Sequence, residues 1–376
     1  MSKDVSAASA DTEEETADLT AEEVAALNEA ESDAEPVIYS GTDFDIEGLV
    51  RRLTRGDIVV PSFGHNDPTL ETAGFQRDFV WRRPQMDRFI ESLLLGYPIP
   101  GIIFVQQQDR RYLVLDGQQR LRTLAAFYDG VHAGREFALQ NVADEYKGVT
   151  YKTLAPERRR QLDNTFIQAT IVKTDGSLAS LEAIYQVFER LNSGGTQLTP
   201  HEIRVALYPG PLVGFLSRLN ESASWRALYG TKSPRLRDQE LILRILALFV
   251  SGEDYFRPLK KYLNDFLGTH RHLEDISTAD FTELFEKSSK VLFRAAGRYA
   301  LRYQSGQVNA ALAEALFVGL MRRMERDREI AVEDVARTLK RLVSNPELTS
   351  SISGSTATEE YVRKRLAVAT AAFESI

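Results

Sequence analysis

A chain of 376 residues, 43% of them hydrophobic, has enough apolar material for two or three folded units of roughly 100–200 residues each. It contains no cysteine, which excludes a disulfide framework, a thiol nucleophile and any cysteine-ligated zinc or iron–sulfur centre. The formal net charge of −8 hides a division: residues 1–37 hold twelve acidic residues and one lysine, while the rest carries 42 acidic and 45 basic residues and does not repel nucleic acid.

Residues 1–40 are rich in Ala, Glu, Asp, Ser and Thr and cannot bury enough apolar surface to order themselves, apart from a transient helix over 20–30. This acidic tail reads either as a solubilising segment or as a nucleic-acid mimic lying over a basic groove. It lacks the basic and apolar regions of a signal peptide. No apolar run approaches the ~18 residues that span a bilayer, so a cytoplasmic protein without membrane association is expected.

Ordered structure is expected to begin near Phe44, with a short helix over 44–53 and a strand over 57–60 stopped by Pro61. Pro84 suits the first turn of a helix that Gly96 ends. Two apolar runs, 102–105 and 112–115, flank a polar connection and predict a β-hairpin. A helix follows over 118–128, another over 154–162, an alternating strand over 166–172 and a helix over 180–191. From about residue 200 only helical patterns remain: 202–207, 212–219, 238–249, 259–266, 281–303, 310–326, 332–342 and 358–373. The fold class is therefore α+β, a small mixed domain over 41–200 followed by an all-helical region over 201–376.

Three segments could carry chemistry. In Val114-Leu115-Asp116-Gly117-Gln118-Gln119-Arg120 an apolar strand ends in an acid and a glycine, and a helix starts at once. Free amides and the positive end of the helix dipole favour an anion there. Gly117 permits close backbone approach, Arg120 offers a planar fork to phosphate, and Asp116 could hold Mg²⁺ or orient a nucleophile. The same spacing also describes a plain strand-to-helix turn. The segment Phe75-Gln76-Arg77-Asp78-Phe79-Val80-Trp81-Arg82-Arg83 interleaves aromatics with arginines, suited to stacking on bases and pairing with phosphates, or to a core-facing extended segment with solvated arginines. In the third, a helix runs into the glycine-rich Asn192-Ser193-Gly194-Gly195-Thr196, and Thr199-Pro200-His201-Glu202 opens the next helix with a capping pattern. Two glycines there could present amides to an anion, or simply connect two helices. The five histidines show no metal-ligand spacing and read as structural or solvated.

Taken in order, the aromatic-Gln-Arg…Trp segment, Asp116-Gly117-Gln118-Gln119-Arg120-Leu121-Arg122-Thr123-Leu124, and Leu191-Asn192-Ser193-Gly194-Gly195-Thr196-Gln197-Leu198…Glu202-Ile203 resemble the N-terminal domain of GmrSD-type restriction endonucleases. The likeness covers roughly 44–268 when Arg237-Asp238-Gln239-Glu240…Arg244 is included. It implies a ParB/sulfiredoxin-like nucleotide-binding fold, NTP binding and hydrolysis with Mg²⁺, and sensing of DNA in antiphage defence. Carried over by position, the family motif falls on Gln76 and Arg77, on Asp116, Gly117, Gln118, Gln119 and Arg120, and on Asn192, Gly194, Gly195 and Thr196. Asp116 and Arg120 are then the expected catalytic pair, Asp116 the metal ligand, and Arg82 and Arg83 the expected DNA contacts. Many relatives end in a His-centred HNH nuclease, whereas residues 273–376 contain no histidine. A working HNH module is therefore not expected: either a nuclease partner cuts, or the nucleotide domain does so weakly, or the protein only binds, and a non-catalytic DNA- or protein-binding module, using Arg322, Arg323, Arg326, Arg328, Lys340 and Arg341, is the competing reading.

Overall fold

The computed structural model describes residues 25, 36–60, 81–191, 198–353 and 356–376. The described residues from 36 to 191 form one compact unit and those from 198 onward form a second.

The first unit runs β1 (Ile38–Asp45), α1 (Ile46–Thr54), β2 (Ile58–Val59), α2 (Arg83–Leu94), β3 (Ile102–Gln106), β4 (Tyr112–Asp116), α3 (Gln118–Asp129), the short pair β5 (Val131–His132) and β6 (Arg135–Glu136), α4 (Pro156–Asp163), β7 (Phe166–Lys173) and α5 (Leu178–Leu191). A five-stranded mixed sheet has the order β1-β7-β3-β4-β2. Neighbouring strands alternate between antiparallel (β1/β7 and β3/β4) and parallel (β7/β3 and β4/β2). The expected hairpin is present as β3 and β4.

Local chemistry explains the helix starts. Asp45 accepts from the Gly48 amide at 2.6 Å and caps α1. The Arg82 amide donates to Gln85 Oε1 at 2.8 Å at the head of α2, where Pro84 occupies the first turn. The period-2 pattern of β7 buries Ile167, Ala169 and Ile171 on one face. There they join Phe104, Val114, Leu121, Leu124, Phe127 and the apolar stripe of α2 in one core. The helix α5 packs against β4.

The first described strand begins at Ile38, ahead of the start near Phe44 that the sequence pattern suggests. Ile38 and Tyr39 are 72% and 68% exposed, so β1 has no alternating apolar signature. Backbone pairing along the whole of β7, from Ile38 with Lys173 to Asp45 with Phe166, holds this edge strand.

The second unit is helical: α6 (Pro200–Leu207), α7 (Pro211–Asn220), α8 (Ala223–Tyr229), α9 (Arg237–Ser251), α10 (Leu259–Thr269), α11 (Thr278–Ala296), α12 (Ala310–Arg326), α13 (Val332–Val343), α14 (Pro346–Ser351) and α15 (Glu359–Glu374). The long helix expected over 281–303 stops at Ala296, because Gly297 turns the chain at φ 61° into a 3₁₀ segment. The helices α8 and α14 are too short to show a period in sequence. The helix α12 is buried on nearly all sides and packs against α9, α11 and α15.

Charges are buried in this unit. Glu314 of α12 accepts from Arg244 Nε of α9 at 2.5 Å and from Arg365 Nη2 of α15. Burial alone would raise the Glu314 carboxyl, but the two guanidinium groups outweigh it and hold its pKa below the usual carboxylate value. Removing the carboxylate takes a shared counter-charge away from two buried guanidinium groups. Glu314→Ala is therefore expected to lower stability by about 3–5 kcal/mol in denaturant unfolding. A loss under 1 kcal/mol would show that the arginines find other partners.

His201 of α6 is fully buried with Nδ1 3.3 Å from Arg204 Nη1. Burial first, then the Arg204 charge, keep its pKa well below 6.5, against a smaller opposing effect of Gln239. The unfolded chain therefore takes up a proton that the folded chain refuses as pH falls below about 6.5. The contribution of neutral His201 is complete above that pH and declines below it, with a slope reaching about 1.4 kcal/mol per pH unit. Denaturant unfolding from pH 8 to 5 should show His201→Gln losing less stability than the wild type over the acidic half. Parallel curves would place the titrating group elsewhere.

Candidate functional site

The strand β4 is an interior strand and α3 is held on the core by Leu121, Leu124 and Phe127, so the chain must pass from one to the other in a single residue. Gly117 makes that turn at φ 98° and ψ 9° and caps α3 without a side-chain hydrogen bond. A Cβ here would stand 3.0 Å from Ile102 Cγ1 and 3.3 Å from Arg120 Nη2, so both conformation and space require glycine. The first helical bond runs from Leu121 N–H to Gly117 O at 3.0 Å. The amides of Gln118, Gln119 and Arg120 are thus outside the helix ladder, at the positive end of the dipole.

A bulge shapes the approach to this turn. Phe104 pairs with Val114 and Ile103 with Asp116, which leaves Leu115 without an opposite residue. Bulges bend a strand and redirect its side chains, and this one lies immediately before Asp116. Arg120 then locks the geometry: its Nη2 donates to Asp116 Oδ2 and to the Gly101 carbonyl, both at 2.8 Å. The Arg120 side chain is 13% exposed, while that of Asp116 is 51% exposed with only Oδ2 engaged by Arg120. Arg120 Nε is buried without a hydrogen-bond partner among the described residues. Gly101 sits against the Gln168 carbonyl, where a Cβ would come within 2.8 Å, so the strand start that receives Arg120 is itself fixed.

Among the described residues the second sequence segment meets the first where the Trp81 amide donates to Gln119 Oε1 at 3.4 Å. Trp81 packs edge-on against Phe89, with centroids 5.5 Å apart. Arg82 is exposed at the head of α2. Arg83 is drawn inward instead: Nε donates to Asp87 at 2.8 Å, Nη2 donates to the Ala138 carbonyl, and the guanidinium lies 4.0 Å over Phe137. Buried Asp87 also accepts from the Gln140 and Asn141 amides and from Asn141 Nδ2. Arg82 and Arg83 therefore do not form a shared exposed basic element, because Arg83 braces the 138–141 loop. The far end of α3 is pinned as well: Tyr128 and Tyr151 stack at 4.1 Å and both donate to Asp163 Oδ1. Burial and that carboxylate push the Tyr151 hydroxyl up to about 12.

The structure brings Asp116, Gly117, Gln118, Gln119 and Arg120 into one junction. Gln76, Arg77, Asn192, Gly194, Gly195 and Thr196 lie outside the described residues. After them, Thr199 and Glu202 form the anticipated reciprocal cap of α6, with Thr199 N–H donating to Glu202 Oε2 at 2.6 Å and Glu202 N–H to Thr199 Oγ1 at 3.2 Å. Three features went unnoticed in sequence: the Gly101 carbonyl, the inward Arg83, and Arg122 on the opposite side of α3 from Arg120. The first two are tertiary contacts; the third was visible as the second arginine of the Asp116–Thr123 run.

Among the described residues no group of three or more His, Cys, Asp or Glu side chains could hold a metal ion. Several basic residues of the C-terminal helices have partners: Arg323 donates to the Asp327 carbonyl at 3.0 Å, Arg326 pairs with Glu374 at 2.8 Å and Arg341 donates to Thr338 at 3.0 Å. No described helix is long and apolar enough to cross a membrane.

Because Gly117 alone meets the conformational demand of the junction, Gly117→Ala is expected to cost about 1–3 kcal/mol in denaturant unfolding. Wild-type stability in the variant would mean that the turn relaxes to an ordinary conformation.

Residues 55–209 match the family described as GmrSD restriction endonuclease, N-terminal domain. That stretch contains the whole junction and continues through α6. Comparison with curated proteins and with solved structures returns no match.

Proposed function

From a chain that carries a GmrSD-type N-terminal domain, we propose a nucleoside-triphosphate-binding and -hydrolysing protein of a DNA restriction or antiphage defence system. The observation that carries this reading is the left-handed Gly117 opening α3 between a half-exposed carboxylate and a guanidinium that grips it. The free first-turn amides receive phosphate oxygens, and Arg120 holds Asp116 in a fixed orientation beside them. Asp116 is placed to take up the proton of an attacking water or to orient that water.

Among the described residues a single carboxylate with one oxygen not engaged by Arg120 suits a Mg²⁺ ion that travels with the phosphates rather than an all-protein cation cage. Such an ion, held by Asp116, would offset charge on the phosphates. Gln76 and Arg77, with Asn192, Gly194, Gly195 and Thr196, complete the nucleotide site in this proposal. DNA recognition engages exposed Arg82 rather than Arg83, and cleavage falls to a separate nuclease partner.

One observation favours a second reading. Asp116 and Arg120 satisfy one another, as they would in a binding module that kept the fold without the reaction. Phosphate release from a panel of NTPs with Mg²⁺, with and without DNA, separates the two. Asp116→Ala and Arg120→Ala should each reduce turnover by roughly 10²-fold or more with the fold intact. Unchanged turnover in both would sink the catalytic reading. Nucleotide binding without turnover in the wild type, with DNA affinity falling steeply as salt rises, would establish the second.

A further inference from the structure

One end of the five-stranded sheet holds the Asp116–Gly117 junction, and the other end is basic. There, strand pairing sets Ile38, Lys173, Gln106, Tyr112 and Ile58 in a single row across the sheet. With neighbouring strands about 4.8 Å apart, the row spans about 19 Å. Cations gather along it. Lys173 ends β7, and Arg110 and Arg111 lead directly into β4. The helix α1 brings Arg51, Arg52 and Arg55 to the same end. The Asp57 amide donates to the Arg52 carbonyl, and the Tyr112 amide to the Asp57 carbonyl, both at 2.9 Å.

Two of these six cations are engaged by the fold. Arg111 pairs with Asp109 at 2.6 Å, and the Arg52 guanidinium lies 5.4 Å from the centre of the Phe44 ring. Arg51, Arg55, Arg110 and Lys173 are exposed, and none of them pairs with a carboxylate among the described residues. Asp57, Asp109 and Asp175 lie in the same segments, the last held there by Gln108 Nε2 donating to its carbonyl at 3.1 Å. The end of the sheet therefore keeps a net positive charge.

The chain that enters at this row has the opposite charge. Ile38 stands beside Lys173, and residues 1–37 hold twelve acidic residues and one lysine. A segment of this length reaches over about 100 Å when extended, several times the width of the row. Attachment at the row also sets its effective concentration there on the order of millimolar. Single surface ion pairs are weak, but several made together by a tethered polyanion hold it in place. A duplex presents phosphates at fixed spacing and meets Asp57 and Asp109 among the cations, whereas a peptide can direct its carboxylates around them.

We propose that the acidic segment preceding β1 docks on this basic end of the sheet, with its carboxylates on Arg51, Arg55, Arg110 and Lys173, and shields that surface from nucleic acid. The contact is independent of the nucleotide reading, since none of these residues belongs to the Asp116 junction.

The chain has no cysteine, so Ala10→Cys and Thr54→Cys introduced together carry a donor and an acceptor dye on the full chain. Energy transfer between them should be high at about 0.05 M salt and fall toward about 1 M, as the Debye length contracts to about 3 Å. Adding Arg55→Glu, Arg110→Glu and Lys173→Glu should bring the low-salt transfer down to the high-salt value. If that chain fails to fold, replacing the twelve acidic residues of 1–37 by Asn and Gln should give the same loss without touching the sheet. Transfer that is indifferent to salt, or to both sets of substitutions, overturns the proposal. Binding of a fluorescent duplex of about 20 base pairs tests the shielding. The neutral segment should raise duplex affinity roughly 10-fold, and the three reversals should remove that gain. Duplex affinity lowered by the reversals yet unchanged by the neutral segment would make this a nucleic-acid surface that the segment does not cover, and overturn the proposal.

Discussion

The first unit is organised around one constraint, the passage from β4 to α3 in a single residue. Both neighbours are fixed before the turn is considered: β4 by pairing on both edges, α3 by three buried side chains. The chain has no slack, and the remaining solution is a left-handed residue without a Cβ. Three consequences meet at this point. The helix opens with bare amides, the strand ends on a carboxylate pushed out past a bulge, and the arginine one turn into the helix reaches back to hold that carboxylate. A site assembled on rigid elements in this way needs no ordering when a ligand arrives.

The arrangement divides labour among arginines of similar appearance. Arg83 is a brace for a loop, Arg120 is a clamp on the end of β4, and Arg122 makes no ion pair or hydrogen bond among the described residues. The division follows from the geometry of helices, since residues two apart face nearly opposite directions. A guanidinium with a carboxylate within 3 Å is already neutralised and is a poor anchor for further negative charge. One without such a partner keeps its full attraction for an anion. The helical unit shows the opposite treatment of charge. Arg244, Glu314 and Arg365 come from helices far apart in the chain and converge where water does not reach. Pairing offsets the desolvation cost of such a group, and its main effect is to fix which helix faces which.

Much of this was legible in sequence where a local rule sufficed. Pro84 and Gln85 at the head of α2, the alternating apolar residues of β7, the paired runs of the β3–β4 hairpin and the Thr199–Glu202 cap each state their structure within a few residues. The Asp116–Arg120 junction was legible for the same reason, because an acid and a glycine between an apolar strand and a helix leave few geometries. Other features carried no local mark. The strand β1 is polar and exposed, and exists because β7 offers its edge. The break at Gly297 interrupts a pattern that periodicity alone would continue. The bulge opposite Ile103 depends on register between two strands, which neither strand specifies alone.

By itself, then, the sequence determined the order and type of most elements, the α+β class, and the position of the glycine turn with its flanking acid and arginine. These follow from spacing, propensity and backbone sterics, which act over a few residues. Only the tertiary structure decided what each polar group does: that Arg120 is bound to both Asp116 and Gly101, that Arg83 points inward, and that Glu314 sits between two arginines. The physical reason is that charge and hydrogen bonding are settled by whichever groups burial brings within about 3 Å. Two of these pairs are local, Arg120 with Asp116 and Arg83 with Asp87, but the others join residues 19 to 70 positions apart, which no local pattern contains.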